Sequence, residues 1–307
     1  MNFAINSLSP VRTKTNQPYH RRTLPKILII GSLALVITLN SACSSAYVFN
    51  HCPTTTEKVF RIKITSLERR IKRHPDRRDL LLEAASSYTQ YAYVFLVEEA
   101  DRVALEDYLA ARRLYKQALH YFQLAVDYGT TALEQRYPTF NQWLEDTTQA
   151  TPQFDVEDVS ALYWLAASYG GAVSASRGDP RWLVHFPKIG LLLKEALKLN
   201  PTWNQGALYS AMISYTVKRP DPIPDRYEIA RDYFNKAIAA SEGRSASPYV
   251  VYAESVLISK QDRTNFIKQL ESVLKMDVRE DKELQLANLV AQKRAAWLLD
   301  HVDEFFY

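Results

Sequence analysis

An all-helical fold is what this sequence predicts, and three observations carry the prediction. Its 307 residues hold only 8 glycines, and Ala, Leu, Tyr, Lys and Glu dominate the composition, which favours helix. Strand-like alternation is rare. Apolar residues recur instead at offsets 0, 3, 4 and 7, the signature of one helical face. With 47% hydrophobic and 12% aromatic residues, the chain can bury one large core or two small ones.

The N-terminus reads as an address. The basic segment "RRTLPK" precedes the 13-residue apolar run "ILIIGSLALVITL", and small residues follow. That order is a secretory signal, and the run is shorter than the ~20 residues of a membrane span. Arg21-Arg22 fits a plain basic region better than a twin-arginine signal, because Pro25 sits badly in the latter.

The residues before Cys43 resemble the lipobox of bacterial lipoproteins. Ser41, Ala42 and Cys43 fit, while the leucine stands at Leu39 and Asn40 fills its usual slot. The resemblance implies removal of residues 1–42, acylation of Cys43 and a lipid-anchored tether over 43–56. The alternative is ordinary cleavage, with Cys43 free or bridged to Cys52. Among Gram-negative lipoproteins Asp after the cysteine retains the protein at the inner membrane. Ser44 here implies transfer to the outer membrane, within the periplasm.

Residues 1–42 hold Arg12, Lys14, Arg21, Arg22 and Lys26 and no acid, so the overall net charge of +4 misleads. The remainder carries 33 bases and 34 acids. That balance gives no reason to expect nucleic acid or an anionic membrane face as partner.

From Glu57 to Tyr307 the pattern is helical and repetitive. Three first-helix stripes are Leu81, Ala84, Ala85, Tyr88; Leu162, Leu165, Ala166, Tyr169; and Leu208, Ala211, Met212, Tyr215. Their spacing is that of the tetratricopeptide first helix. Each is followed by a second-helix stripe: Ala111, Tyr115, Ala118; Ile189, Leu193, Ala196; and Ala230, Phe234, Ala237. A fourth, weaker pair joins Tyr249, Tyr252 and Ala253 to Phe266, Leu270 and Val273, with Ser247-Pro248 as N-cap and first-turn proline. Residues 57–307 therefore read as about four cryptic helical hairpins closed by a C-terminal capping helix. The first helix leads the second by more than the regular repeat allows. Surplus falls in connections such as "SASRGDPRWLVHFP" and "KRPDPIPDR", as loops on a binding edge or as irregular connectors. A generic helical bundle is the plainer alternative.

Segments in the second half, among them "DVSALYWLAASYGGAVSAS", "LLLKEALKLNPTWNQGALY" and "LQLANLVAQKRAAWLLDHVDEFF", resemble the T-component family of TRAP transporters. The resemblance spans roughly residues 60–307 and is most specific at Leu286-Ala287-Asn288 and Ala295-Ala296-Trp297-Leu298-Leu299. It implies an all-helical tetratricopeptide-like fold and a non-enzymatic adaptor of a tripartite, ATP-independent uptake system. The implied partner is a periplasmic substrate-binding P-component, with relay of a small organic or apolar ligand, and a homotrimer is open. The competing reading is an outer-membrane tetratricopeptide scaffold for envelope assembly.

Catalytic and metal motifs do not emerge. His20, His51, His74, His120, His185 and His301 show no ligand spacing, and no HExxH, CxxC, Walker loop, GxGxxG or GxSxG occurs. No cofactor is implied. Asp155 in "DVED" reads as a helix cap, and "DVREDKE" at 277–283 as a solvated turn opening the last helix. Candidate ligand- or partner-binding residues are Trp164, Tyr169, Trp182, His185, Trp203, Asn204 and Asn288. Most such aromatics fill a core. Trp182 and His185 lie in an inserted connection and are the more exposed candidates. Asn204 and Asn288 offer amide hydrogen bonds, although an in-helix Asn more often ties a neighbouring loop.

Overall fold

The structure, a computed structural model, describes residues 53–307. The signal region 1–42, Cys43, Cys52 and the tether up to residue 52 lie outside the described residues. Helix α1 (Pro53–Arg73) opens on a proline, whose missing N–H is tolerated at a helix start. It therefore includes the last residues of the expected 43–56 tether. Phe60, Ile64, Leu67 and Ile71 form its buried stripe.

Helix α2 (Arg78–Tyr91) runs on through a π-helical turn, Ala92–Val97, into α3 (Glu98–Val103). The surplus length in the first hairpin is thus helix rather than loop. Helix α4 (Tyr108–Arg136) is capped by Asp107, which accepts from the Ala110 N–H at 2.8 Å. Helix α5 (Phe140–Glu145) and a 3-10 turn (Val156–Asp158) lead into α6 (Val159–Ala175). Then follow α7 (Pro180–Leu183), α8 (Phe186–Leu199), α9 (Trp203–Lys218) and α10 (Arg226–Ala240). Helix α11 (Ser247–Tyr252) continues into a second π-helical turn, Ala253–Leu257. The described chain closes with α12 (Arg263–Leu274), α13 (Gln285–Asp300) and a terminal 3-10 turn. No strand occurs among the described residues, so the fold is all-α.

Each helix pair read from the sequence is in contact: α2 with α4, α6 with α8, α9 with α10, and α11 with α12. Between pairs, α4 meets α6, α8 meets α9, and α13 covers α11 and α12. The first three first-helix stripes are buried throughout, with Ala84, Tyr88, Leu162, Leu165, Ala166, Leu208 and Ala211 at 0% exposure, whereas Tyr249 and Tyr252 of the fourth are half-buried.

Two glycines explain how closely the helices approach. A Cβ on Gly171 in α6 would fall 2.2 Å from the ring of Phe122, itself fully buried in α4. One on Gly190 in α8 would fall 2.0 Å from the Tyr215 hydroxyl. Asp158, fully buried, ties three segments together. It accepts from Arg78 Nη2 at 3.0 Å, Arg136 Nη1 at 2.9 Å and the Tyr137 hydroxyl at 2.5 Å. Asp155 caps the 3-10 turn through the Glu157 N–H at 2.8 Å.

The cap of α11 differs from expectation by one residue. Ser247 is the first helical residue, buried, and Ala246 is the cap. Its N–H donates to the Asn288 Oδ1 at 2.8 Å, so one of the free donors at this helix start is satisfied from a distance. The start of α9 departs from helix altogether. Asn204, Gln205 and Gly206 take φ of 49°, 54° and 85°, a left-handed run that costs roughly 1–2 kcal/mol per non-glycine residue.

Filling the Gly171 contact is expected to be costly. Gly171→Val should destabilise by about 1–3 kcal/mol, lowering the thermal midpoint by about 2–4 °C per kcal/mol. Gly178, with nothing within 4 Å, is the comparison: Gly178→Ala should cost only what its positive φ of 95° imposes. Equal midpoints for Gly171→Val and wild type would remove the close-approach argument.

Candidate functional site

The two π-helical turns meet at a buried ion cluster. An α-helix accommodates a π turn as one inserted residue, which re-aims the side chains beside it. Here Glu98 follows the first turn and Glu254 lies inside the second. Arg294 reaches both from α13. Its Nε and Nη2 donate to Glu254 Oε1 at 2.9 and 2.6 Å. Nη2 also lies 2.8 Å from Asp101 Oδ2, and Nη1 lies 3.6 Å from Glu98 Oε2. The guanidinium stands 4.7 Å from the centre of the Trp297 ring. The Tyr115 hydroxyl donates to Asp101 from α4.

Electrostatics follow from burial. Glu98 is 5% exposed and Arg294 8%. Burial pushes the Glu98 carboxyl up to about 7. Arg294 and Arg102 oppose this, while Glu254 and Asp101 add to it. Burial disfavours the Arg294 charge, and Glu254, Glu98 and Asp101 more than reverse that, holding it well above the usual guanidinium range. Burial likewise raises Tyr93, with Glu98 and Glu254 adding to it. Four buried atoms here make no hydrogen bond: Tyr93 Oη, Glu98 Oε2, Glu254 Oε2 and Arg294 Nη1. Unmatched polar atoms on this scale are uncommon inside a fold.

Beside the cluster lies a cavity of about 170 Å³, lined chiefly by Asp101, Ser174, Arg177, Lys218, Glu254 and Arg294. Charged and hydroxyl groups from α3, α6, α9, the second π turn and α13 converge on it. A space of that size holds several waters, at ~30 Å³ each, or one small polar molecule. A separate open groove of about 480 Å³ runs beside Tyr249, Tyr252, Arg231, Lys260 and Lys268.

The sequence-derived candidates fall elsewhere. Trp164 and Tyr169 are buried in α6 at 8% and 6%. Tyr163 lies edge-on to Trp164 and tilted against the half-buried Trp203, with ring centres at 5.1 and 4.9 Å. Tyr169 meets His185 at 5.4 Å, and His185 meets the half-buried Trp182 at 5.6 Å. Burial and the neighbouring Lys188 lower the His185 pKa, with Glu145 opposing, while burial pushes Tyr169 up to about 12. Asn204 lies in the left-handed run. Asn288 is 2% exposed and holds the loop before α11, donating to the Arg244 carbonyl at 2.8 Å as it accepts from Ala246.

Sequence reasoning missed Arg294, Glu98, Asp101 and Glu254. One signal was available. Arg294 occupies the face of α13 that carries Ala287, Ala291, Ala295 and Leu298, and a charge on an apolar stripe needs partners. Among the described residues no group of three or more His, Cys, Asp or Glu is arranged to hold a metal ion, and no helix is long and apolar enough to cross a membrane.

An all-helical protein with a partly open, charge-lined cavity beside a buried ion cluster is the class these features define. The family described as TRAP transporter T-component matches residues 53–306, so the chain belongs to it and serves as an envelope-associated accessory of a TRAP system. A protein of Treponema pallidum (strain Nichols), described as "Uncharacterized protein", is 23% identical over 238 residues, covering 76% of this chain and 74% of that one.

The pH dependence of stability should report the state of Glu98. Its folded pKa is raised from 4.5 to about 7, so the native protein keeps a proton that the unfolded chain releases. The resulting stabilisation is full below about pH 4.5 and is lost as pH rises through about 7. A displacement of this size corresponds to about 3 kcal/mol. Glu98→Gln should therefore gain on wild type by about that amount in urea unfolding between pH 4.5 and 8. Parallel profiles would show that Glu98 is ionised throughout.

Proposed function

We propose that this chain is a non-catalytic periplasmic lipoprotein adaptor of a TRAP uptake system, docking a substrate-binding P-component and relaying a small organic ligand. The family match over residues 53–306 carries this reading. In it, the four helix pairs are divergent tetratricopeptide-like hairpins, and Cys43 carries the lipid that holds them at the outer membrane. The charge-lined cavity supports a polar rather than an apolar ligand. Buried Arg294 Nη1 and Glu254 Oε2, both without hydrogen bonds, provide a donor and an acceptor that such a ligand satisfies.

The edge around α7 is our docking proposal. Leu183 and Val184 are 44% and 67% exposed, and they adjoin the half-buried Trp182 and His185. Exposed aliphatics beside aromatics fit the core of a protein interface.

Two experiments test the reading. The native protein, captured from periplasm, should bring down a solute-binding protein. Val184→Glu should reduce that recovery by about tenfold or more, as loss of a hot spot does. Failure of wild type to recover any such protein would sink the adaptor role, and undiminished recovery by the variant would move the docking surface elsewhere. For the anchor, palmitate should label wild type but not Cys43→Ser. Label surviving in the variant would remove Cys43 as the acylation site.

A further inference from the structure

Helix α1 divides its residues by charge. Phe60, Ile64, Leu67 and Ile71 face the core. Both acids on the helix turn towards α2, where Glu57 accepts from the Tyr91 hydroxyl at 3.1 Å and Glu68 from the Tyr88 hydroxyl at 2.6 Å. At about 100° per residue, the outward face is then Lys58, Arg61, Ile62, Thr65, Arg69, Lys72 and Arg73. All seven are exposed. The stripe holds five cations and no acid, and the exposed Glu68 borders it beside Arg61. None of the five forms an ion pair among the described residues, whereas Lys63 and Arg70, at its flanks, pair with Glu83. Ile62 is 67% exposed in the middle of the stripe, and Val59 57% at its margin.

We propose that this face of α1 lies against an anionic phospholipid surface, with the five cations at the headgroups and Ile62 at the acyl boundary. The proposal rests on the anchor at Cys43. Nine residues lie between Cys43 and Pro53, and the ten steps from one to the other reach at most about 35 Å. Helix α1, about 32 Å long, is therefore the first element the membrane meets. Clustered Lys and Arg beside an anchor are attracted to anionic lipid, and one exposed aliphatic on a basic helix adds insertion to attraction. A single acyl anchor leaves a domain free to tumble, and a second, electrostatic contact fixes its orientation. Near-neutral charge over the mature chain conceals this, because the acids that balance α1 lie on other surfaces.

The test uses the mature, acylated chain, with acylation verified by mass so that failure of the anchor is seen separately. Cys52→Ser and Ile62→Cys are introduced, and the new thiol carries an environment-sensitive fluorophore. The protein is inserted into vesicles of phosphatidylcholine alone or with phosphatidylglycerol. Expected is a blue-shifted emission only with phosphatidylglycerol, reversed by high salt and lost when Lys58→Glu, Arg69→Glu and Arg73→Glu are combined. Identical emission in both vesicles overturns the proposal. A shift that needs added P-component rather than anionic lipid also overturns it and assigns the face to a protein.

Discussion

Burying one guanidinium organises the described structure. Arg294 leaves water at a desolvation cost of several kcal/mol, and only opposed charge and hydrogen bonds offset it. Those partners come from α3 and from the second π turn, so a side chain on the last helix closes onto the first hairpin. Such an arrangement is weak evidence for high stability, because packed apolar residues could do as well. It does specify geometry. Removing one partner strands the others, which ties α3, the second π turn and α13 to a single relative placement.

The π turns belong to the same logic. A regular helix would carry Glu98 and Glu254 about 100° away from where the inserted residue leaves them. Conventional tight packing surrounds this point, with Phe122 against Gly171 and Tyr215 against Gly190. The interior is therefore close-packed where helices pair and polar where they converge. At that convergence Arg294 is desolvated and held by its carboxylate partners, while Arg177 and Lys218 at the edge of the cavity are exposed.

Much of the architecture was legible in the sequence. Stripes such as Leu162, Leu165, Ala166 and Tyr169 state which face is buried, and their order states which helices pair. The π turns were not legible, because "AYVFLV" and "AESVL" keep an apolar pattern whether or not a residue is inserted. Nor was the ion cluster, since positions 98, 101, 254 and 294 have no fixed spacing and meet only through tertiary packing. Most of the aromatics were read as core, and Trp164 and Tyr169 are buried there, because Trp and Tyr report apolar area rather than location. Asn288 was readable as a loop tie, and its two hydrogen bonds to Arg244 and Ala246 are of that kind.

Helix α9 is fastened at both ends by different means. At its start, Gln205 Nε2 donates to Asp281 Oδ2 at 3.0 Å, and Arg244 reaches the same carboxylate at 3.3 Å. At its finish, Lys218 lines the polar cavity. Twelve residues of regular helix, 207–218, follow the left-handed run, about 18 Å. Of the left-handed residues at the start, Gln205 is tied by its side chain to Asp281. The helix therefore joins the connection before α13 to the polar cavity as one continuous element.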